Sequence, residues 1–293
     1  MAEPYPIGYL NGEFLPLATA RISPFDRGFL FADGVYEVVP VHRGRPFLLR
    51  AHLDRLARSL AAIRLANPHG HEQWARIVDG LASRAGSAEQ LVYLQVTRGA
   101  EVGRNHPFPE GVSPTVFGFS GPYPAASPEL LAQGIASVTR EDIRWARCDI
   151  KSIALLANVL LRQEAGDAGG SEAILLRAGW LTEGSSSTVF VVRGDRLITP
   201  PNDPRILPGT TREAVLELAR SLTSEIRPVA ARELATADEI WIASAGRGVL
   251  PVTRLDGRAV GGGRPGAHWQ RTYAALQAHL DAIAGDAPLC SLA

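Results

Sequence analysis

Residues 120–128 form a proline-rich stretch that divides the sequence into two parts. The stretch reads SGPYPAASP, with three prolines and one glycine. Proline lacks a backbone N–H and fixes φ, so we expect neither a helix nor a central strand there. Segments with strand and helix patterns lie on both sides. The sequence therefore predicts two domains, residues 1–119 and 129–293, joined by a linker at 120–128.

Apolar periodicity predicts a mixture of strands and helices in each part. Asn11-Gly12 lies between two apolar runs, which predicts a β-hairpin over 7–14. Further strands are expected over 35–41, 47–49, 91–97, 115–119, 135–138, 172–176, 188–192 and 239–243. Helices are expected over 52–65, 72–85, 152–165, 212–222 and 267–283. This mixture predicts an α+β fold with two domains.

The charge balance excludes several classes of protein. The 30 Lys and Arg residues equal the 30 Asp and Glu residues, so the chain lacks the basic surface of a nucleic-acid-binding protein. Lys151 is the one lysine. It follows Cys148-Asp149-Ile150 rather than a glycine-rich loop, which excludes a Walker-type phosphate loop.

Other patterns concern location and site type. There is no apolar run of about 18 residues and no basic N-terminus followed by one, so we expect neither a membrane helix nor a signal peptide. The two cysteines, Cys148 and Cys290, lie far apart and fit a reduced cytoplasm. We expect no metal site, because His69-Gly70-His71-Glu72 has no second cluster of ligands. Gly184-Ser185 does not complete the GxSxG motif of serine hydrolases.

Lys151 is the first candidate for catalysis. Its apolar neighbours and the helix expected just after it both disfavour an ammonium ion, because burial and the helix dipole penalise positive charge. A neutral amine is a nucleophile that can form a Schiff base with an aldehyde, which arginine cannot do. The alternative is an ordinary surface lysine in an arginine-rich chain.

Three further segments each allow a functional and an ordinary interpretation. Residues 181–188, LTEGSSST, place Glu183 beside a run of hydroxyls, either as an acid for a basic ring nitrogen or as a polar turn. Residues 207–211, LPGTT, lead into a helix, either as an anion site or as an N-cap. Arg104 and His106 lie two residues apart in a loop, either to bind a carboxylate or as solvated side chains.

Together these segments resemble the class IV (fold type IV) pyridoxal-phosphate aminotransferases, and among them the D-amino acid aminotransferases. The resemblance covers nearly the whole chain, from Tyr9-Leu10-Asn11-Gly12 to Pro251-Val252. It is strongest at DRG (26–28), DGVYE (33–37), QVTRG (95–99), EDIRW (141–145), CDIKS (148–152) and TEGSSS (182–187). The resemblance implies the two-domain fold of that family, with pyridoxal 5′-phosphate bound between the domains.

The resemblance also implies roles for individual residues. Lys151 resembles the lysine that forms the Schiff base and moves the proton between Cα and the cofactor, and Glu183 resembles the partner of the pyridine nitrogen. Arg144 resembles the residue near the phenolic oxygen, and Leu207 the apolar residue behind the ring. The residues expected around the phosphate and the hydroxyl run are Arg55, Thr210, Thr211, Ser244, Ala245 and Ser187. Ala245 has no hydroxyl, so its contact with phosphate would come from the backbone.

The expected substrates are D-amino acids and 2-oxo acids, exchanged by a ping-pong mechanism. This rests on Arg104, His106 and Tyr36, which resemble the carboxylate-binding residues of D-amino acid aminotransferases. In that family the Arg and His reach in from the neighbouring subunit, which implies a homodimer. The rivals are the branched-chain L-amino acid aminotransferases, the aminodeoxychorismate lyases and a pyridoxal-phosphate-binding protein without turnover. We also expect Arg247, in the loop that should line the side-chain pocket, to favour acidic substrates.

Overall fold

The computed structural model describes residues 3–285, which form two compact units. The first unit contains the residues up to Pro124, the segment Ile150–Ala154 and the described residues from Ala282 on. The second contains Ala125–Asp149 and Leu155–Asp281. The chain therefore passes from one unit to the other at Pro124, within the expected linker. The domain boundaries at 119 and 129 stay a prediction.

The first unit is built on a six-stranded antiparallel sheet, in the order β2-β1-β6-β5-β3-β4. Its strands are β1 (Ile7–Leu10), β2 (Glu13–Pro16), β3 (Gly34–His42), β4 (Arg45–Pro46), β5 (Gln90–Thr97) and β6 (Thr115–Pro122). Its helices are α1 (Arg27–Phe31), α2 (Leu49–Ala62) and α3 (His71–Arg84), with a 3₁₀ turn at Leu17–Thr19. The predicted hairpin is confirmed, because Asn11 and Gly12 have φ of 49° and 111° and join β1 to β2.

Alternation along β3 explains how this sheet binds its helices. Val35, Val39 and Val41 are buried on one side of the strand, where they join α2 and α3 in one apolar core. Successive side chains of a strand point to opposite faces, so Glu37 shares that buried side. Tyr36 projects from the other side. One strand therefore contributes an ionic residue to the core and an aromatic residue to the opposite face.

The second unit is built on a mixed sheet of nine strands. Eight follow the order β12-β11-β10-β13-β14-β7-β8-β9, and β15 pairs with β14. The strands are β7 (Ile135–Glu141), β8 (Glu172–Arg177), β9 (Trp180–Gly184), β10 (Thr188–Arg193), β11 (Arg196–Thr199), β12 (Thr223–Ile226), β13 (Glu239–Ser244), β14 (Gly248–Leu255) and β15 (Arg258–Ala259). The helices are α4 (Pro128–Gln133), α5 (Leu156–Asp167), α6 (Thr210–Leu218), α7 (Ala231–Leu234) and α8 (Ala267–Gly285).

The expected linker contains more regular structure than its prolines suggest. Strand β6 continues through Ser120 to Pro122, where Pro122 lies opposite Gln90 of β5. Proline is tolerated at the end of a strand, because its missing N–H does not interrupt the ladder. Pro128 occupies the first turn of α4, where the N–H would have no intrahelical partner. Strand β6 is a central strand, between β1 and β5. The expectation that residues 120–128 contain neither a helix nor a central strand was therefore wrong at both ends.

The helix expected at 152–165 begins later than predicted and faces the other way. It begins at Leu156, and Leu156, Val159 and Leu160 on its predicted apolar side are 73%, 59% and 49% exposed. Its buried face carries Leu161 and Ala165. Apolar spacing cannot tell which of two apolar stripes meets the sheet. The expectation that Lys151 adjoins a helix N-terminus was wrong, because Lys151 lies outside this helix and in the other unit.

No helix within residues 3–285 is long and apolar enough to cross a membrane. Cys148 is a buried free thiol, and its Sγ donates a hydrogen bond to Trp145 O at 3.2 Å. Cys290 lies outside the described residues.

Candidate active site

Lys151 lies on the segment Ile150–Ala154, which pairs with the beginning of β3. The Tyr36 N–H donates to Lys151 O at 3.0 Å, and Ser152 lies opposite Val35. Lys151 Nζ lies 4.1 Å from the centre of the Tyr36 ring, within the range of a cation–π interaction. The Lys151 side chain is only partly buried. Strand pairing therefore sets the amine beside Tyr36, which joins two of the predicted site residues.

A buried carboxylate holds Arg55, the predicted phosphate ligand. Arg55 Nε donates to Glu37 Oε1 and its Nη2 to Glu37 Oε2, both at 2.8 Å. His52 lies one turn earlier on α2, with its Nδ1 2.8 Å from Glu37 Oε2. Burial alone would raise the pKa of Glu37, but Arg55 and His52 lower it to about 2. Glu37 is therefore ionised and keeps the guanidinium in one orientation.

The loop between β5 and β6 brings Arg104 and His106 together on one aromatic ring. Arg104 Cζ lies 4.8 Å from the centre of the Phe31 ring, and the ring centres of His106 and Phe31 lie 5.3 Å apart. Both predicted carboxylate ligands are exposed. The pair therefore presents two cationic or hydrogen-bonding groups to solvent from one platform. Tyr36, the third predicted member, lies beside Lys151.

Glu183 of the second unit is held by Arg144 and a backbone amide. Arg144 Nη1 donates to Glu183 Oε1, and the Leu207 N–H donates to Glu183 Oε2 at 3.1 Å. Arg144 is itself held by Asp142, with Nε to Oδ1 at 2.9 Å and Nη2 to Oδ2 at 3.0 Å. Burial raises the pKa of Glu183 to about 7, although Arg144 opposes part of that rise. Three predicted residues, Glu183, Arg144 and Leu207, thus form one cluster.

The predicted phosphate residues of the second unit lie at a helix N-terminus and a nearby turn. Thr210 and Thr211 are buried and begin α6, with Gly209 as the N-cap. A side chain on Gly209 would approach Thr188 Oγ1 to 2.8 Å, so this turn requires glycine. The N–H groups in the first turn of a helix attract anions. Helix α6 packs on β13 and β14. Ser244 is the last residue of β13, and Ala245 begins the turn to β14.

Glu172 accepts hydrogen bonds from the hydroxyls of the serine run. From the sequence it was assigned no role. It is fully buried and accepts hydrogen bonds from Ser185 Oγ, and from Ser186 Oγ and Ser187 Oγ at 3.1 Å each. Arg247 Nη1 lies 3.2 Å from Glu172 Oε2. Burial lowers the pKa of Arg247, and the Glu172 carboxylate opposes that shift. Ser187 and Arg247 are therefore both engaged by one internal acid.

Sequence reasoning missed three buried carboxylates that each bond predicted site residues within their own unit, Glu37 in the first unit and Asp142 and Glu172 in the second. For Glu37 a signal was present, because its position in an alternating strand places a charge on the buried face. A buried charge requires a partner, and His52 and Arg55 lie three residues apart on the helix that covers it. Glu172 gave no such pattern, because its partners lie 13 to 75 residues away in the chain. Asp142 lies two residues from its partner Arg144, but that spacing alone does not show that the pair is buried.

The sequence and the fold are similar to those of known aminotransferases. The family model for amino-transferase class IV matches residues 34–255. The chain is 39% identical to a D-alanine aminotransferase of Bacillus licheniformis, over 91% of this chain and 94% of that protein. A branched-chain amino acid aminotransferase of Escherichia coli has the same fold, with a TM-score of 0.89, 24% identity and 94% of each chain covered.

A further solved structure is a hypothetical aminotransferase from Mycobacterium tuberculosis in a PLP-bound form. It has a TM-score of 0.79 and 25% identity, and covers 93% of this chain and 99% of its own. The fold predicted from the sequence is confirmed by these likenesses, as is the predicted family. The family match covers most of the described residues and includes Lys151, Glu183 and the start of α6, so the chain belongs to amino-transferase class IV.

Proposed function

We propose that this chain is a pyridoxal-phosphate-dependent transaminase that exchanges an amino group between D-amino acids and 2-oxo acids in two half-reactions. The observation that carries the choice of substrate is the pair Arg104 and His106, held together on the Phe31 ring. A guanidinium and an imidazole side by side suit a carboxylate. The identity with a D-alanine aminotransferase over 91% of the chain supports the same choice.

The residues present fit the cofactor by the chemistry of their side chains. Lys151 supplies the one lysine amine for an aldehyde, and Glu183 supplies a buried acid whose pKa is about 7 for a ring nitrogen. The first turn of α6, with Thr210 and Thr211, supplies donors for a phosphate. Bound pyridoxal phosphate supplies an aldehyde that takes up the amino group and a ring that withdraws electrons from the substrate Cα.

Lys151 is the proposed acid–base residue of the reaction. Its amine takes the proton from the substrate Cα and later returns one, which requires a neutral amine at the start of the step. The Tyr36 ring lies 4.1 Å from Nζ, and the strand pairing of Lys151 O fixes the backbone behind it. Both restrict the positions that the amine can reach, which favours transfer on one side of the substrate.

Glu183 is the proposed holder of the ring-nitrogen proton. Arg144 and the Leu207 N–H fix its carboxylate, so it needs no rearrangement when it receives its partner. A carboxyl whose pKa is raised towards 7 binds a proton more strongly than an ordinary glutamate does. We propose that Asp142 acts indirectly, because it orients Arg144, which in turn holds Glu183.

Two half-reactions test this function directly. The purified protein, loaded with pyridoxal phosphate, is mixed with D-alanine and separately with L-leucine, and its visible absorbance is followed. Conversion by D-alanine alone is the expected result. Conversion by L-leucine alone would replace the proposal by the branched-chain reaction, and conversion by neither would favour a lyase or a binding protein. Lys151→Ala is the control, because it removes the one lysine amine.

Arg247 carries a second proposal, on substrate preference. If its guanidinium faces the substrate side chain, Arg247→Ala should lower the rate with D-glutamate relative to D-alanine. The Glu172 contact at 3.2 Å neutralises part of its charge, so we expect a change of about threefold rather than a complete switch. Arg140→Ala is the control, because Arg140 is also partly buried and paired with a glutamate, Glu164, at 3.1 Å. An unchanged ratio in Arg247→Ala would show that Arg247 only supports Glu172.

We also propose a homodimer, in which the loop that carries Arg104 and His106 serves the neighbouring subunit. Exposure of both side chains in one chain supports this, because a carboxylate site that consisted of them alone would be open to water. The cytoplasmic location stays a prediction.

A further inference from the structure

The loop that carries Arg104 and His106 is bonded to α1 through its backbone. Arg27, the first residue of α1, is 3% exposed, and its Nη1 and Nη2 donate to Asn105 O at 2.6 Å and His106 O at 3.1 Å. The Arg27 N–H donates to Gly99 O at 2.9 Å, at the base of the loop. One buried guanidinium thus holds the two carbonyls that follow Arg104.

Arg27 is itself fixed by carboxylates on both sides. Its Nε donates to Asp33 Oδ2 at 2.9 Å, and its Nη1 to Glu101 Oε1 at 2.6 Å. Arg98 donates to the same Asp33 through Nε at 2.8 Å and Nη2 at 3.0 Å. The Arg98 guanidinium also stacks on Phe108, near the far end of the loop, at 3.7 Å. Asp33 therefore bonds both arginines that contact the loop, Arg27 at residues 105–106 and Arg98 at Phe108.

The other end of α1 supports the side chains of the loop. Phe31 is the last residue of α1, and Arg104 Cζ and the His106 ring lie 4.8 Å and 5.3 Å from its ring centre. Arg27 Cζ lies 4.7 Å from the same ring. The ring is therefore in contact with the two proposed carboxylate ligands and with the residue that holds their backbone.

We propose that α1 positions the carboxylate-binding loop, with Arg27 setting its backbone and Phe31 setting the side chains of Arg104 and His106. The proposal rests on the proposed function, which gives that pair its substrate. Neither residue of α1 needs to touch the substrate. Arg27 cannot be replaced by lysine, because five donors in a planar fork bond Asp33, Glu101 and two carbonyls at once, and an ammonium has three.

The test compares a substrate with its analogue that lacks the carboxylate. Half-reaction rates are measured for the pyridoxal-phosphate-loaded enzyme with D-alanine and with ethylamine. Arg27→Lys and Phe31→Leu should each lower the D-alanine to ethylamine ratio about tenfold, while the ethylamine rate stays near that of wild type. Arg21→Lys is the control, because Arg21 is exposed and also donates to two backbone carbonyls. An unchanged ratio in both variants would overturn the proposal.

Hydrogen exchange gives a measurement that does not depend on turnover. The amides of residues 100–113 should exchange faster in Arg27→Lys than in wild type, while those of α3 should not. Equal exchange in the loop would contradict the positioning role, even if neither amino acid is converted. If wild type converts L-leucine rather than D-alanine, the proposed function fails. The ratio of L-leucine to isopentylamine then tests α1 in the same way.

Discussion

Glu37 illustrates how strongly one buried charge depends on its partners. It accepts from Arg55 and His52 with no exposed surface of its own. Glu37→Gln removes the negative charge and leaves the guanidinium of Arg55 buried without its counter-ion. We expect this to lower the free energy of unfolding by about 3 kcal/mol. Urea unfolding measures this. Glu89→Gln is the matched control, because Glu89 also bonds a histidine and an N–H but is half exposed and should cost under about 1 kcal/mol.

Glu183 should make the stability of the cofactor-free protein depend on pH. Below pH 4.5 its carboxyl is protonated in the folded and the unfolded chain, so it contributes no difference. Between pH 4.5 and about 7 the unfolded chain loses this proton first, and the free energy of unfolding falls by about 3 kcal/mol. Urea unfolding at pH 5 and pH 8 should show a smaller fall in Glu183→Gln.

The control for this pH effect is Glu110→Gln, because Glu110 is exposed. It should keep the wild-type difference between the two pH values. A Glu183→Gln variant with that same difference would contradict the raised pKa of Glu183.

At the scale of residues, the sequence named candidate reactive side chains but not the residues that hold them in place. A single lysine and a carboxylate beside serines pointed to Lys151 and Glu183 without knowledge of the fold. Glu172 and Arg27 were missed, because Glu172 bonds serines 13 to 15 residues away and Arg27 bonds a loop 74 to 79 residues away in the chain. The role of Ser187 as a cofactor ligand stays a prediction, and its hydroxyl donates to Glu172, which the sequence did not indicate. A local pattern names reactive side chains but does not show which acceptors lie beside them.

At the scale of elements, Gly99 closes the base of the loop that carries Arg104. Its φ is 92°, and a Cβ there would lie 2.1 Å from Ser113 O. Gly103 has a similar φ of 102° but open space around it. Gly99→Ala should therefore lower the free energy of unfolding by about 2 kcal/mol more than Gly103→Ala, which has the same backbone strain without the clash. Thermal or urea unfolding of the two variants checks this, and equal losses would contradict it.

Periodicity predicted the positions of most helices and strands. It did not always predict which face of a helix is buried. Strand β5 and helix α3 begin within one residue of the prediction, because alternation and helical spacing with a terminal glycine are local signals. The predicted buried face of α5 was wrong, because its sequence has apolar residues on all sides. Only packing against the sheet selects Leu161 and Ala165 as the buried residues. The five-residue helix α1 was not among the predicted elements, because it is too short for a periodic pattern.

At the scale of the whole molecule, the proposed exchange of loops between subunits predicts complementation. Lys151→Ala and Arg104→Ala each remove one part of the site. If Arg104 serves the neighbouring subunit, a mixed dimer of the two variants contains one site with both residues intact. Co-expression should then restore about a quarter of wild-type activity, because half of the dimers are mixed and half of their sites are intact. If the two residues act in the same subunit, no site is repaired and the activity stays at the level of the variants.

The proline-rich stretch predicted two units, but it did not predict that Lys151 belongs to the first of them. The sequence placed Lys151 with the residues that follow it, and residues 150–154 belong to the first unit. The physical reason is a strand pairing between residues far apart in the chain, Val35 with Ser152. Such pairing leaves no trace in the hydrophobic periodicity of either segment.

This pairing has a consequence for protein synthesis. Domains tend to fold from the N-terminus while the ribosome is still adding residues. The first unit has most of its chain once Pro124 has emerged, yet the Tyr36 N–H has no Lys151 O to bond until the chain has reached residue 151. The edge of the sheet beside β3 is therefore completed only after all six strands of that sheet have been synthesised. The residue proposed to carry the chemistry is also the one whose arrival finishes that edge.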